Sequence, residues 1–335
     1  MTTATLAPAP RALTLPAPRG PLSAWVLARL TGHEPTRCPP VRQDGFGDDV
    51  QLALYLAYES HFSTLPGVVA DVEWDPALIA FRRALEAAFE DALRQSMPSW
   101  ADRTPVARAI PEILQLDDGP SLSAHMERDG TLDEMRELVV HRSAYQLKEG
   151  DGHTFAIPRL HGRAKQLLVE IQAGEYGADA PGRTMHSTLF AQTMRHLGLD
   201  DRLHAYLDVL PASALAVSNL ISMFGLNRQW RGALVGHLAV FEMTSVTPMG
   251  RYTRGLERLG ASAEARRFYD VHVLADAEHE RMALEMAVET EAAEPQLRPD
   301  IIFGARCAGE VDRRFAATLF DGWRRTASAT RLASA

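Results

Sequence analysis

Nine residues near the end of the chain, HVLADAEHE at positions 272–280, place two imidazoles and a carboxylate at helical spacing. His272, Asp276 and His279 stand at i, i+4 and i+7, so on an α-helix they point within an arc of about 60°. Polar side chains on the inward side of a helix need partners, because a buried polar group without one is costly. Salt bridges, a proton relay and a metal site each fit this pattern.

Three further segments carry carboxylates or imidazoles that the same site could use. Glu242 lies in GHLAVFEMTS, a helical stretch with almost no other charge, where a lone carboxylate needs a cation. Glu175 stands where a helix ends at Gly177, and His186 lies at the start of the next helix. Glu149 falls in the last turn of its helix, where the helix dipole favours cations over carboxylates.

Together these segments offer carboxylates and imidazoles but no thiolate, since Cys38 and Cys307 do not form a thiolate metal site. Such a donor set suits non-haem iron or manganese better than structural zinc. Carboxylate-bridged sites with two metal ions are built in the cores of helical bundles. A ferritin-like version is disfavoured, because it needs two Glu-x-x-His pairs and the sequence has none.

Composition excludes several classes of protein. The chain has 335 residues, 46% of them hydrophobic, which is ample material for a core. It has no apolar run near the roughly 18 residues that a membrane helix needs, so no membrane association is expected. A net charge of −8 with 35 scattered Lys and Arg residues argues against a nucleic-acid partner. The first residues lack the pattern of a signal peptide, which predicts a cytoplasmic protein.

Helical periodicity dominates the chain and predicts an all-α fold. Residues 1–46 are expected to be a disordered Pro/Ala-rich leader and an irregular segment, with one short helix around Ala24–Leu30. Residues 47–328 are predicted to form a single all-helical domain of roughly ten helices, followed by a tail over 329–335. The predicted helices include 202–209 and 230–247, the latter ending before a proline.

Three stretches of the sequence resemble the haem-oxygenase-like diiron oxidases and oxygenases. They are EIQAGEYGADAPGRTMHSTLFAQTMRHLGLD, NRQWRGALVGHLAVFEMTS and HVLADAEHE, and the similarity extends from about residue 48 to 323. The spacing carries the resemblance: 26 residues from Glu149 to Glu175, 11 from Glu175 to His186 and 30 from Glu242 to His272.

The resemblance implies a compact helical bundle of the haem-oxygenase type that binds two Fe(II) ions, which react with O2. It also implies seven metal ligands: Glu149, Glu175, His186, Glu242, His272, Asp276 and His279. Glu170 competes with Glu175 for one ligand position, and the family spacing favours Glu175.

The resemblance further implies an O2-dependent oxygenase, with N-oxygenation of an amine or amino acid in secondary metabolism as the favoured reaction. The alternatives are a desaturase, an oxidative decarboxylase or a C–C-cleaving oxidase of an aliphatic or amino acid, and an iron-binding helical protein without catalysis. A haem oxygenase is disfavoured, because buried carboxylates repel the haem propionates. Arg159, Arg163 and Arg231 are candidates for holding a substrate carboxylate, although an ordinary surface role is favoured for each. Tyr176 is a candidate donor to the ligand next to it.

The expected partners are a small-molecule substrate and O2. No reductase segment is recognisable, so electrons are expected from a separate donor or from the substrate itself. A homodimer is expected by analogy with this fold alone.

Overall fold

The computed structural model describes residues 12–333, apart from 36, 43, 63–64, 101–102 and 117–118. The side chains at 276, 277 and 326–333 also lie outside the description. The described residues form fourteen α-helices and no strand, which confirms the predicted all-α fold. In chain order the helices are α1 (Pro21–Leu30), α2 (Asp48–Glu59), α3 (Pro76–Ser96), α4 (Val106–Gln115), α5 (Leu122–Arg128), α6 (Leu132–Gln146), α7 (Asp151–Thr154), α8 (Gly162–Glu175), α9 (His186–His196), α10 (Ala212–Leu226), α11 (Arg231–Met243), α12 (Val246–Arg258), α13 (Ala263–Ala293) and α14 (Arg298–Ala333).

Side-chain caps fix the starts of several helices. Thr131 and Glu134 form a reciprocal capping box at the start of α6, which satisfies two backbone N–H groups that the helix leaves unpaired. Ser262 accepts a hydrogen bond from the Ala265 N–H at the start of α13. These caps set where α6 and α13 begin. α6 leads into the turn that holds Glu149, and α13 carries His272 and His279.

Helices α11, α13 and α14 form the centre of the bundle. α11 packs on both of the long helices, while α8, α9 and α12 pack on α13, and α10 packs on α2 and α14. Gly236 and Gly304 lie where α11 crosses α14, and a Cβ on either would collide with a carbonyl oxygen of the other helix. The close crossing therefore depends on two residues without side chains. Among the described helices, none has the length and apolar character needed to cross a membrane.

Two predicted helix boundaries are wrong. Residues 202–209 form a series of turns, in which His204 adopts a left-handed conformation with φ of 72°. The helix predicted over 230–247 divides in two, because α11 ends at Met243 and α12 begins at Val246. Pro248 lies in the first turn of α12, where its missing N–H costs no hydrogen bond, so it does not end the helix as predicted.

Helix α1 packs against α2. The Asp49 carboxylate accepts hydrogen bonds from the backbone N–H groups of Leu22 and Ser23, at 2.9 and 2.8 Å, which ties the two helices together. Residues 1–11 of the predicted leader lie outside the described residues, and so do 334 and 335 of the predicted tail. The division into leader, domain and tail stays a prediction.

Candidate metal centre

Six of the seven predicted ligands converge on one buried region of the bundle. Glu149 lies in the turn after α6, Glu175 ends α8 and His186 begins α9. Glu242 comes from the end of α11, while His272 and His279 come from α13. All six are buried, with relative exposures between 2% and 8%. Residues that are far apart in sequence therefore share one water-poor environment.

Glu149, Glu175, His186 and His272 form the first of two groups of ligand atoms. One atom from each lies within 4.8 Å of the others. His186 Nδ1 is 3.0 Å from Glu175 Oε2, and His272 Nε2 is 3.6 Å from Glu149 Oε2. The rings of the two histidines have their centroids 4.1 Å apart. The four ligand atoms lie close enough together to bind one metal ion.

Glu175, Glu242 and His279 form the second group, again with ligand atoms within 4.8 Å of one another. His279 Nδ1 is 3.4 Å from Glu242 Oε2 and 3.9 Å from Glu175 Oε1. Glu175 belongs to both groups, with Oε2 next to His186 and Oε1 facing His279. A carboxylate placed in this way can bind two cations at once.

The turn after α6 is held against α8. Gly150 has φ of +90°, a left-handed conformation that glycine adopts without strain, and this reverses the chain directly after Glu149. The Gln172 side chain on α8 donates a hydrogen bond to the Gly150 carbonyl at 2.9 Å. Because Gln172 lies one turn before Glu175, this bond fixes Glu149 next to the shared glutamate.

The orientation of His272 is that of a metal-binding imidazole. Its Nδ1 lies 2.8 Å from the Phe268 carbonyl oxygen, and a carbonyl only accepts, so Nδ1 carries the proton. Nε2 is therefore left with a lone pair, and this atom faces Glu149. A hydrogen bond from the distal ring nitrogen to a carbonyl is the usual way in which proteins orient a histidine ligand.

The buried carboxylates of the cluster favour binding of a cation. Burial raises the pKa of Glu149, an effect that His272 opposes. Burial also raises the pKa of Glu242, where His279 lowers it and Glu175 raises it further. Glu149 Oε2 is buried and accepts no hydrogen bond from the described residues. A metal ion would neutralise these carboxylates and occupy that oxygen, and three carboxylates with three imidazoles fit iron.

The remaining predicted ligand is Asp276, whose side chain lies outside the described residues, so its role stays a prediction. Glu170, the rival of Glu175, has a side chain 55% exposed and lies 3.7 Å from Arg163. Glu175 is the one of the two that lies in the cluster.

The side chains that the sequence suggested for binding a substrate or supporting a ligand lie outside the cluster. Arg159 donates to the Gly225 carbonyl at 2.5 Å, Arg163 pairs with Glu285 at 2.9 Å, and Arg231 pairs with Glu294. None of the three arginines lines the cavity next to the cluster. Tyr176 donates to Asp151 at 2.9 Å rather than to a predicted ligand, and burial raises its pKa to about 12. Their roles in substrate binding or ligand support stay predictions, which these contacts do not favour.

A cavity of about 290 Å³ adjoins the cluster, with Glu149, Glu175, Glu242 and His272 in its wall. Its other walls include charged and aromatic residues that the sequence reasoning missed: Arg142, Asp312, Arg313, Tyr145, Tyr252 and Tyr269. The sequence contained one usable signal, because Arg142 and Tyr145 lie on α6, the helix that leads into the turn with Glu149. Asp312 and Arg313 come from α14, and no spacing relates them to the ligands.

Comparisons with known proteins agree with this site. The chain belongs to the family of iron-containing redox enzymes, whose family model matches residues 136–313. Over 146 residues it is 28% identical to nitrosourea synthase from Streptomyces achromogenes subsp. streptozoticus. That match covers 43% of this chain and 31% of the relative, so the chain spans about a third of the relative's length.

The family match confirms the resemblance read from the sequence, and with it the haem-oxygenase-like helical fold. The matched range begins within α6 and ends within α14, so all six predicted ligands that lie in the cluster are inside it. The chain therefore belongs to a family of iron-containing redox enzymes and has a buried cluster of carboxylates and histidines.

Proposed function

We propose that this protein is an O2-dependent non-haem diiron oxygenase that N-oxygenates an amine or an amino acid. The observation that carries the proposal is the position of Glu175, which belongs to both groups of buried ligand atoms. A single carboxylate between two sets of imidazoles and carboxylates supports two ions rather than one. Two ferrous ions bound there would supply the redox chemistry and the open coordination positions that activation of O2 requires.

The residues of the chain have separate parts in this proposal. Glu149, His186 and His272 would hold one ion together with Glu175, and Glu242 and His279 would hold the other, also with Glu175. The burial of the cluster keeps bulk water away from it. The adjoining cavity receives the substrate, since four of the proposed ligands line it.

The proposed reaction is balanced as a monooxygenation. One oxygen atom of O2 is inserted into an N–H bond of the substrate to give a hydroxylamine, and the other leaves as water. Two electrons and two protons are consumed, and a separate reductant supplies the electrons. Amines and amino acids are favoured because the cavity wall carries a cation and an anion, Arg142 and Asp312, rather than apolar side chains alone. A desaturase or decarboxylase of a long aliphatic acid would be better served by an apolar tunnel.

Iron stoichiometry is the experiment that tests the site. The full chain is loaded with Fe(II) without oxygen, desalted and assayed for iron per chain, as wild type and as His279→Ala. Two irons per chain in the wild type and about one in the variant support the diiron site. Absence of specific iron uptake by the wild type contradicts it.

The reaction is tested on the loaded enzyme with a panel of amines, amino acids and fatty acids. O2 uptake that depends on an amine, together with a product heavier by one oxygen atom, supports N-oxygenation. A terminal alkene or a desaturated acid as product favours the alternative reactions instead. Iron binding without O2 uptake for any compound favours the non-catalytic alternative.

A further inference from the structure

The cavity wall contains an arginine whose hydrogen-bonding capacity is mostly unused. Arg142 lies on α6 with its side chain only 18% exposed, and its guanidinium stacks on Phe315 with Cζ 4.1 Å from the ring centroid. Among the described residues it makes one hydrogen bond, from Nη2 to Asp312 Oδ1 at 2.6 Å. A guanidinium has five N–H donors in a planar fork that matches a carboxylate. The other N–H groups of Arg142 can therefore donate hydrogen bonds to a carboxylate in the cavity.

Asp312 gives the same part of the cavity a negative charge. It lies on α14, opposite Arg142, and its side chain is 52% exposed. Its neighbour Arg313 also lines the cavity, but that guanidinium is held by Glu310 at 2.7 Å. The available charges are therefore one cation and one anion side by side, which complements the carboxylate and ammonium groups of a zwitterion.

Arg142 and the proposed iron ligands are separated along α6 and the turn that follows it. Arg142 lies four residues before α6 ends at Gln146, about 6 Å along the helix, and Glu149 lies farther on in the turn. Side chains on a helix tilt toward its N-terminus, so the guanidinium lies on the far side of Arg142 from Glu149. Tyr145 also lines the cavity. Burial and the carboxylates of the cluster raise its pKa and Arg142 lowers it, so this ring lies near both. A substrate that reacts at the cluster while it is held at Asp312 therefore has to span this separation.

From this arrangement we infer that Arg142 and Asp312 bind the α-carboxylate and α-ammonium groups of an amino acid with a long, nitrogen-bearing side chain. The side chain extends past Tyr145 to the cluster, and its terminal nitrogen is the atom that reacts. The assignment of the reacting atom rests on the proposed N-oxygenase function, while the binding of the zwitterion does not. Lysine and arginine have the required length and chemistry.

Binding to the Fe(II)-loaded full chain, measured by calorimetry without oxygen, tests the inference. The probes are L-lysine, L-arginine, 6-aminohexanoate, which lacks the α-amine, and 1,5-diaminopentane, which lacks the carboxylate. We expect one of the two amino acids to bind, and the truncated probes to bind roughly tenfold to a hundredfold more weakly.

Two substitutions separate the roles of the pair. Arg142→Gln should weaken binding of the amino acid and of 6-aminohexanoate by roughly tenfold or more, without affecting 1,5-diaminopentane. Asp312→Asn should weaken the amino acid but not 6-aminohexanoate, and its exposed position makes it a mild change for the fold. Arg136→Gln is the matched control, because Arg136 lies on the same helix, pairs with Asp133 at 3.1 Å and does not line the cavity.

Equal binding of the amino acids by the wild type, Arg142→Gln and Asp312→Asn overturns the inference. The pair would then serve only to join α6 to α14. Failure of both amino acids to bind at millimolar concentration overturns it too. O2 uptake is recorded separately with the same probes. Amine-dependent uptake that neither substitution changes overturns the inference and leaves the N-oxygenase standing. Tight binding of the amino acid without uptake supports the inference and contradicts the N-oxygenase.

Discussion

Gly174 lies so close to the imidazole of His279 that no side chain fits between them. A Cβ at position 174 would lie 2.7 Å from both Cε1 and Nε2 of the ring. Gly174 directly precedes Glu175 in the last turn of α8, and glycine in a helix costs about 1 kcal/mol relative to alanine. The contact gives a reason for that cost, because it allows α13 to bring His279 next to the shared glutamate.

Gly174→Ala should therefore disturb the second group of ligands. The added methyl group displaces the His279 ring, since the backbone of α8 is packed against α13 and has little room to move. We expect iron per chain to fall from two toward one, while a helical circular dichroism spectrum is retained. Iron assay after anaerobic loading measures the first quantity.

The matched control for this substitution is Gly322→Ala on α14. Among the described residues, a Cβ there would meet Glu137 Oε1 at 3.9 Å, an ordinary van der Waals distance. Gly322→Ala should bind as much iron as the wild type and be slightly more stable, as alanine is the better helix former. Full iron binding by Gly174→Ala would show that His279 is not held by this contact.

The shared position of Glu175 predicts unequal effects of two conservative substitutions. Glu175→Gln removes a ligand from both groups, so we expect both irons to be lost. Glu242→Gln removes a ligand from the second group alone, so about one iron per chain should remain. Iron content and the absorption spectrum of the loaded protein distinguish the two variants.

Glu170→Gln serves as the control on the same helix as Glu175, because the Glu170 side chain is 55% exposed and outside the cluster. It should bind two irons. Equal iron content in Glu175→Gln and Glu242→Gln would argue against a bridging glutamate.

The part of the candidate site that lies on α13 could be predicted from local sequence pattern, because its ligands share one helix. His272 and His279 lie on one turn-spaced stripe of α13, and both reach the cluster as that spacing implies. Glu149 and Glu175 are less predictable from local pattern, because each stands at a helix end where a surface role is equally natural. For these two, the spacing shared with a known family supplied the information.

What the sequence could not provide is the set of contacts made where helices cross. Arg142 meets Asp312 across α6 and α14, 170 residues apart, and no periodicity relates them. Arg159 and Arg163 were selected for closeness in sequence to the ligands, but side-chain direction and nearby acceptors place them elsewhere. The turns at 202–209 escaped prediction for a similar reason, since His204 is held by Glu59, a residue on α2.

Glu59 forms a buried ion-pair network with Lys148 and His204. It is fully buried and accepts hydrogen bonds from Lys148 and from His204, the latter at 2.9 Å. Burial alone would raise the pKa of Glu59, but Lys148 and His204 outweigh it and lower the pKa to about 2. Glu59→Ala should lower the free energy of unfolding by about 3–5 kcal/mol, because it leaves Lys148 buried without its carboxylate.

Urea denaturation of the metal-free proteins measures this loss. Asp133→Ala is the comparison, since the Asp133 side chain is 92% exposed and its pair with Arg136 is screened by solvent. We expect that variant to lose less than about 1 kcal/mol. A comparably small loss for Glu59→Ala would mean that Lys148 finds another partner or reaches water.

The buried pair of His153 and His237 should make stability depend on pH. His153 Nε2 and His237 Nδ1 are 3.1 Å apart, and both rings are almost fully buried. Burial lowers the pKa of His153 from its usual 6.5 to about 3. Between these two values the unfolded chain binds a proton at this residue that the native chain does not. The free energy of unfolding therefore rises with pH across the window and levels off above 6.5.

The slope due to one such proton is at most about 1.4 kcal/mol per pH unit. His153→Gln retains a hydrogen bond to His237 but does not titrate, so its unfolding free energy should fall less steeply as the pH is lowered. Urea midpoints of metal-free wild type and variant, compared at several pH values inside the window, give the difference directly. The exposed His33, replaced by glutamine, is the control and should leave the wild-type slope unchanged. A slope in His153→Gln equal to that of the wild type would mean that His153 takes up its proton in the native state, and that its surroundings are more hydrated than its burial indicates.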